Sequence, residues 1–207
     1  LLPTDGVSIY PTQMDYNLPG IEVNYTLTVK NIGSSVDNFD LAGAGNPSWP
    51  ISFYDETNSV PIVNTGNIAP YDSVNIVARV QIDPLALPGD SDISLITATS
   101  TNDPTRLLTV PLETQVKGDV LLVDDDKYLN TETWYMSSLA NNGYSYNIWN
   151  RTLYGTPPLY VLQDHTATIW FTGNSDGNGW GAGDTLNEVD RTLLGNYLDS
   201  GGNFYLS

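Results

Sequence analysis

Between residues 22 and 30 apolar and polar side chains alternate without a break. Val23, Tyr25, Leu27 and Val29 fall on one side, and Asn24, Thr26, Thr28 and Lys30 on the other. A period of two belongs to a strand with one face buried. Related patterns run through Val7–Tyr10, Val36–Ala42, Trp49–Tyr54, Val74–Ile82, Ile93–Thr99 and Leu107–Val116. Turn residues separate them, such as Asn31-Ile-Gly-Ser34 and the stretch 61–70 with its Pro, Asn and Gly. Short strands with a turn about every ten residues predict an antiparallel β-sandwich over residues 1–117. Trp49, bracketed by Pro47 and Pro50, is expected to plug its core.

From residue 118 the pattern changes. Val120-Leu-Leu-Val123 is apolar throughout, as in a strand covered on both faces, and it stops on Asp124, Asp125 and Asp126. A helix is expected from Thr131 or Thr133 to Asn141, packing through Trp134 and Leu139 with Tyr135 and Ser138. Strands follow at Tyr144–Trp149 and Ala167–Thr172, joined by a connection through 155–162 that is too broken for a long helix. Leu186–Leu198 carries the strongest helical stripe, Val189, Leu193, Leu194, Tyr197 and Leu198, before Gly201-Gly202 and a last strand, Asn203–Leu206. Alternating units with short connections imply right-handed crossovers, a parallel sheet of strand order 2-1-3-4 and a three-layer α/β domain over 118–207. The boundary falls at Gln115-Val-Lys-Gly118.

Two resemblances attach to these halves. Tyr25-Thr-Leu-Thr-Val-Lys-Asn-Ile-Gly33, Asn67-Ile-Ala-Pro70, Ala86-Leu-Pro-Gly89 and Ile96–Pro104 resemble Ig-like, fibronectin-type modules of secreted bacterial and archaeal hydrolases. The likeness implies a spacer or docking platform. Val120–Asp126, Ile169-Trp-Phe-Thr-Gly173 and Leu194–Gly202 running into a strand resemble the first part of a class I glutamine amidotransferase-like, flavodoxin-type domain. That family's chemistry needs a cysteine on a later turn with a histidine partner, and the chain contains no cysteine. Its catalytic residues therefore do not carry over. Domains of this kind also occur as accessory parts of secreted peptidases, which implies a similar role. The chain opens on Leu1-Leu-Pro3 without Met and closes on an apolar strand, so the α/β domain is expected to be incomplete, part of a longer protein.

Charge and composition narrow the partners. The net charge is −17, with thirteen acids against four bases in residues 1–117 and eleven against three in 118–207. Neither half offers a basic face to phosphates or anionic lipid, so nucleic acid is excluded as a partner. No apolar run approaches the roughly 18 residues of a membrane helix. The richness in Asn, Thr, Ser, Gly and Tyr with few lysines points to a secreted or cell-surface protein.

Candidate chemistry centres on acidic groups. In open parallel sheets ligands sit beyond the carboxyl ends of the strands. Asp124, Asp125 and Asp126 follow the first strand there, and Asn174 and Asp176 follow the third, so a hard divalent cation fits between two oxygen-rich loops. Asn174, Asp176 and Asn178, then Gly179, copy the first half of an EF-hand-like calcium loop, whose twelfth position is Thr185 instead of the bidentate Glu. The first strand also resembles that of response-regulator receivers, but Thr172-Gly-Asn174 stands where those domains need a phosphoacceptor Asp. His165, the single histidine, is expected on a solvent-facing loop, and no Gly-x-Ser-x-Gly occurs to build a triad with it. Trp134, Trp149 and Trp170 lie on core-like patterns, which leaves Trp180 as the exposed ring for stacking a glycan. The expectation is a non-catalytic structural or interaction segment, partnered by neighbouring domains and by a glycan or cell surface, and accessory to a hydrolase. The alternative is a carbohydrate- or calcium-binding module using the 174–184 loop.

Overall fold

Residues 4–126, 131–173 and 186–207 are described by the structure, a computed structural model, and the chain divides into two units, Leu1–Val116 and Lys117–Ser207. In the first unit the alternating segments become strands β1 (Val7–Tyr10), β2 (Gln13–Asn17), β3 (Glu22–Asn31), β4 (Asp37–Ala44), β5 (Ile51–Asp55), β6 (Asn64–Ile68), β7 (Ser73–Gln81), β8 (Ser91–Ser100) and β9 (Leu107–Val116). They form a β-sandwich of one four-stranded sheet, β1-β3-β7-β5, and one five-stranded sheet, β2-β9-β8-β4-β6. The expectation of a wholly antiparallel sandwich is corrected at one place, because β2 pairs with β9 in parallel. Only Pro11 and Thr12 separate β1 from β2, and the two enter different sheets, so β2 is not a hairpin partner of its predecessor.

The inward faces match the alternation. Val23, Tyr25, Leu27 and Val29 are buried with Ile76, Ala78 and Val80, and they share one core with Phe39, Ile96, Ala98, Leu112 and Trp49. Full burial of each large apolar side chain is worth about 1.5–3 kcal/mol. Tyr25 adds a polar tie between the sheets. Its hydroxyl donates to the Glu113 carbonyl at 2.8 Å and lies 2.9 Å from Thr114 Oγ1. Burial pushes its phenol pKa upward, so the hydroxyl stays protonated as a donor.

The second unit contains β10 (Val120–Asp124), α1 (Glu132–Asn141), β11 (Tyr146–Asn150), α2 (Arg151–Tyr154), α3 (Leu159–Gln163), β12 (Ala167–Phe171), α4 (Glu188–Asp199) and β13 (Phe204–Leu206). Its sheet is parallel throughout, in the order β11-β10-β12-β13. Val120 to Val123 are all buried, as a central strand requires. Right-handed crossovers place α1 on one face and α3 and α4 on the other, because the chain steps from β10 to β11 in one direction and then returns past β10. No helix of the described residues is long and apolar enough to cross a membrane.

Two helices seat differently from the expectation. In α1 the sheet-facing stripe is Tyr135, Met136 and Leu139, packed on Val120, Leu122 and Phe171, while Trp134 is 74% exposed. Glu132 precedes this stripe by three and four residues and shares its face. In α4 the buried positions are Asp190, Leu193, Leu194 and Tyr197, whereas Val189 and Leu198 are exposed. An acid thus holds the first position of the i, i+3, i+4, i+7 stripe. Asp190 also closes a capping box, its carboxylate accepting from the Asn187 N–H at 2.9 Å while Asn187 Oδ1 accepts from the Asp190 N–H at 3.0 Å.

Candidate cation site at the carboxyl end of the central strand

The pleat of β10 decides which aspartates meet. Val120 and Leu122 face α1, and the same parity carries Asp124 and Asp126 to that side, while Leu121, Val123 and Asp125 belong to the other. Glu132 descends from the first turn of α1 toward the same place. Oxygens of Asp124, Asp126 and Glu132 all lie within 4.8 Å of one another. That span suits oxygens around one ion with ligand distances of roughly 2.3–2.6 Å, as for calcium. The site stands where strand order reverses around β10, at the sheet edge where open α/β folds place ligands.

Hydrogen bonds fix two of the three acids. Asp124 Oδ1 accepts from the Asp126 N–H at 3.3 Å, and Asp124 Oδ2 from Asn150 Nδ2 at 3.2 Å. Asp126 Oδ2 accepts from the Thr131 N–H at 3.1 Å and from Thr131 Oγ1 at 2.5 Å. Glu132 Oε2 is buried without any hydrogen-bond partner. Desolvation of a carboxylate oxygen with nothing to accept from is unfavourable unless a cation or proton reaches it. Burial, and then the neighbouring charges of Asp126 and Glu132, raise the Asp124 pKa to about 6, against the hydrogen bond from the Asp126 N–H that favours the ionised form. Among the described residues no Lys or Arg pairs with these three acids. Among the described residues, like charges are thus gathered without a neutralising side chain.

Asp125 does not join them, which corrects the expectation of three aspartates acting together. It points to the opposite face and is neutralised there. Arg151 Nη1 donates to Asp125 Oδ1 at 2.9 Å, and Trp170 Nε1 to Asp125 Oδ2 at 3.1 Å. The other arm of the guanidinium reaches Asp190 Oδ2 at 2.5 Å, and Thr156 Oγ1 donates to Asp190 Oδ1 at 2.6 Å. One arginine therefore joins β10, α2 and α4. Glu132, Arg151 and Asp190 were not expected as members of this region. Glu132 was detectable from its spacing to Tyr135, Met136 and Leu139, whereas the Arg151 pairs link residues 26 and 39 positions apart and leave no local trace.

Asn174, Asp176, Asn178 and Trp180, together with the rest of loop 174–184, lie outside the described residues. Trp149 and Trp170 are buried, and the exposed ring among the described tryptophans of this unit is Trp134. His165 also departs from expectation. It is 6% exposed instead of solvent-facing, with Nδ1 2.7 Å from the Val161 carbonyl and Nε2 2.8 Å from Asn147 Oδ1. It precedes β12 at the amino end of the sheet, and the five residues of that strand separate the two ends by roughly 17 Å. The imidazole and the carboxylate cluster thus sit at opposite ends of the strands.

No protein-family model and no curated protein matches the chain. Solved structures resemble it weakly, and those compared are β-sandwich-like. A FixG-related protein from Vibrio parahaemolyticus is 19% identical, with a TM-score of 0.41 over 56% of this chain and 99% of its own. The PapD-like domain 7 of human CEP192 is 15% identical, with a TM-score of 0.37 over 55% and 87%. WR4, a member of the MSP family in C. elegans, is 12% identical, with a TM-score of 0.33 over 53% and 96%. None of these resemblances assigns an activity, and none supports an amidotransferase-like second unit.

Proposed function

We propose that the chain is a non-catalytic, two-domain segment of a secreted protein, accessory to a hydrolase, whose flavodoxin-type, amidotransferase-like unit binds a calcium ion at Asp124, Asp126 and Glu132. The observation that carries this reading is the buried, unpartnered Glu132 Oε2 facing two further carboxylates. A hard divalent cation answers all three groups at once, and an oxygen-only donor set favours calcium, magnesium or manganese over softer metals. The role is structural. The ion joins the end of β10 to the start of α1 and so orders the carboxyl edge of the sheet. The position of the single histidine, buried and engaged at the other end of the strands, supports a site without a general base of that type.

Isothermal titration calorimetry of calcium into the full chain at pH 7.5 tests this. Saturable binding that disappears in Asp126→Asn/Glu132→Gln supports it, whereas equal heats in both proteins, or none in the parent, reject it. Exposure of Trp134 favours a second reading, stacking of a glycan on that ring. Quenching or blue shift of tryptophan emission by an oligosaccharide, lost in Trp134→Ala, is its signature.

A further inference from the structure

The buried histidine presents a donor count that only one protonation state satisfies. The Gly118 N–H donates to Asn147 Oδ1 at 2.6 Å, and because an N–H can only donate, the oxygen of the Asn147 amide must point that way. His165 Nε2 faces this same oxygen at 2.8 Å, and His165 Nδ1 faces the Val161 carbonyl at 2.7 Å. Both partners are acceptors. A neutral imidazole carries one N–H and can serve only one of them, setting a lone pair against an oxygen at the other. The imidazolium serves both.

The surroundings are crowded enough for this difference to matter. Asn147 is 1% exposed and His165 6%. A Cβ at Gly118 would lie 2.8 Å from backbone atoms of Tyr146, so the chain passes against β11 with no room to shift. Gly118 follows Lys117, the first residue of the second unit, and leads directly into β10. The charged groups acting on the ring are Lys117 and Asp119, which precede β10, and Asp164, which closes α3. Tyr197 of α4 lines the same cleft, and β11 contributes Asn147. Burial first, aided by Lys117, draws the imidazole pKa below its ordinary value, while the Val161 carbonyl, Asp164 and Asp119 act in the other direction.

We propose that His165 is a proton-operated latch at the entrance of the α/β unit, which on protonation ties α3, β11 and the Gly118 segment into one hydrogen-bonded chain. At neutral pH the latch holds by one of its two bonds. Below the titration midpoint of the ring, which burial draws under the ordinary imidazole value of about 6.5, it holds by both. The device does not depend on a cation at the other end of the sheet.

Nitrogen-15 NMR of the full chain tests it without ambiguity of assignment, because the chain contains a single histidine. Long-range ring correlations should show one protonated nitrogen at pH 7.5 and two below the titration midpoint. The Asn147 side-chain amide and the Gly118 amide should shift with the midpoint that the ring nitrogens themselves report, and should do so equally in Asp124→Asn, which removes the carboxylate that titrates at about 6 at the other end of the sheet. Asn147→Asp, which sets a carboxylate against Nε2, should raise the midpoint by one pH unit or more. In His165→Gln the coupled shift at Gly118 should vanish. Titration of the ring with no response at Asn147 and Gly118, or a ring that stays neutral until the protein unfolds in acid, overturns the proposal. Should either variant fail to fold, the parent titration alone decides.

Discussion

Replacing Glu132 by Gln removes one of three acids from the end of β10 and separates the two consequences of gathering them. Without a cation the site opposes folding. The Asp124 pKa, 3.8 in a free side chain, is about 6 in the folded protein, so the folded state holds the proton more tightly than the unfolded state. Stability accordingly falls as pH rises from 3.8 to about 6 and is flat above. At 1.36 kcal/mol per pH unit the full difference is about 3 kcal/mol, but Asp124 is half-buried and solvent screening reduces this severalfold. Burial is the largest cause and survives the substitution, which leaves about 0.5–1 kcal/mol for the charge of Glu132. Glu132→Gln in EDTA at pH 7 should therefore raise the melting temperature of the second unit by about 2–8 °C, at 4–8 °C per kcal/mol for a unit of this size. Calcium should reverse the ranking. With a dissociation constant near 1 mM, 10 mM calcium adds about 1.4 kcal/mol to the parent, or about 6–11 °C, and little to the variant. Tryptophan fluorescence is the assay, because four of the five tryptophans lie in residues 117–207. A variant that melts lower than the parent in EDTA and responds equally to calcium would refute the reasoning.

Other perturbations have defined outcomes. Arg151→Met leaves Asp125 and Asp190 buried without their cation, so it should destabilise the second unit by about 3–5 kcal/mol in urea unfolding, and adding Asp125→Asn and Asp190→Asn should recover most of the loss. In the sandwich, Leu27→Ala should lower stability by about 2–5 kcal/mol because its side chain is fully buried. Tyr25→Phe should lower stability by about 1–3 kcal/mol, since Thr114 and the Glu113 carbonyl lose their buried partner. Trp134→Ala should stay within about 0.5 kcal/mol of the parent, as an exposed ring demands.

The sandwich and the parallel sheet were legible because burial imposes a period on the sequence. Val23 to Val29 alternate, Val120 to Val123 do not, and the two patterns name different sheets. Two edge strands were not expected, β2, although Met14 and Tyr16 alternate with polar residues there, and β6. In β6 only Ile68 is buried, so its neighbours are free to be polar. Side-chain chemistry was less legible. Nothing local distinguishes Asp125 from Asp124 and Asp126 except the parity of the strand, and parity shows its effect only once Arg151 and Trp170 are known to lie on one face and Glu132 on the other. Trp134 and Val189 are exposed instead of buried for a related reason. Hydrophobicity suggested which residues belong inside, whereas the stripe that faces the sheet was set by Tyr135, Met136 and Leu139 in α1 and by the Arg151 contact in α4.

The most direct test of a cation at the end of β10 is to see it. A crystal of the full chain grown with manganese, which prefers the same oxygen donors, is measured for anomalous scattering. The prediction is one strong peak within about 2.1–2.6 Å of oxygens from Asp124, Asp126 and Glu132 together. An ordered, fully refined β10–α1 junction with no peak there, or with a peak only elsewhere in the molecule, would contradict it.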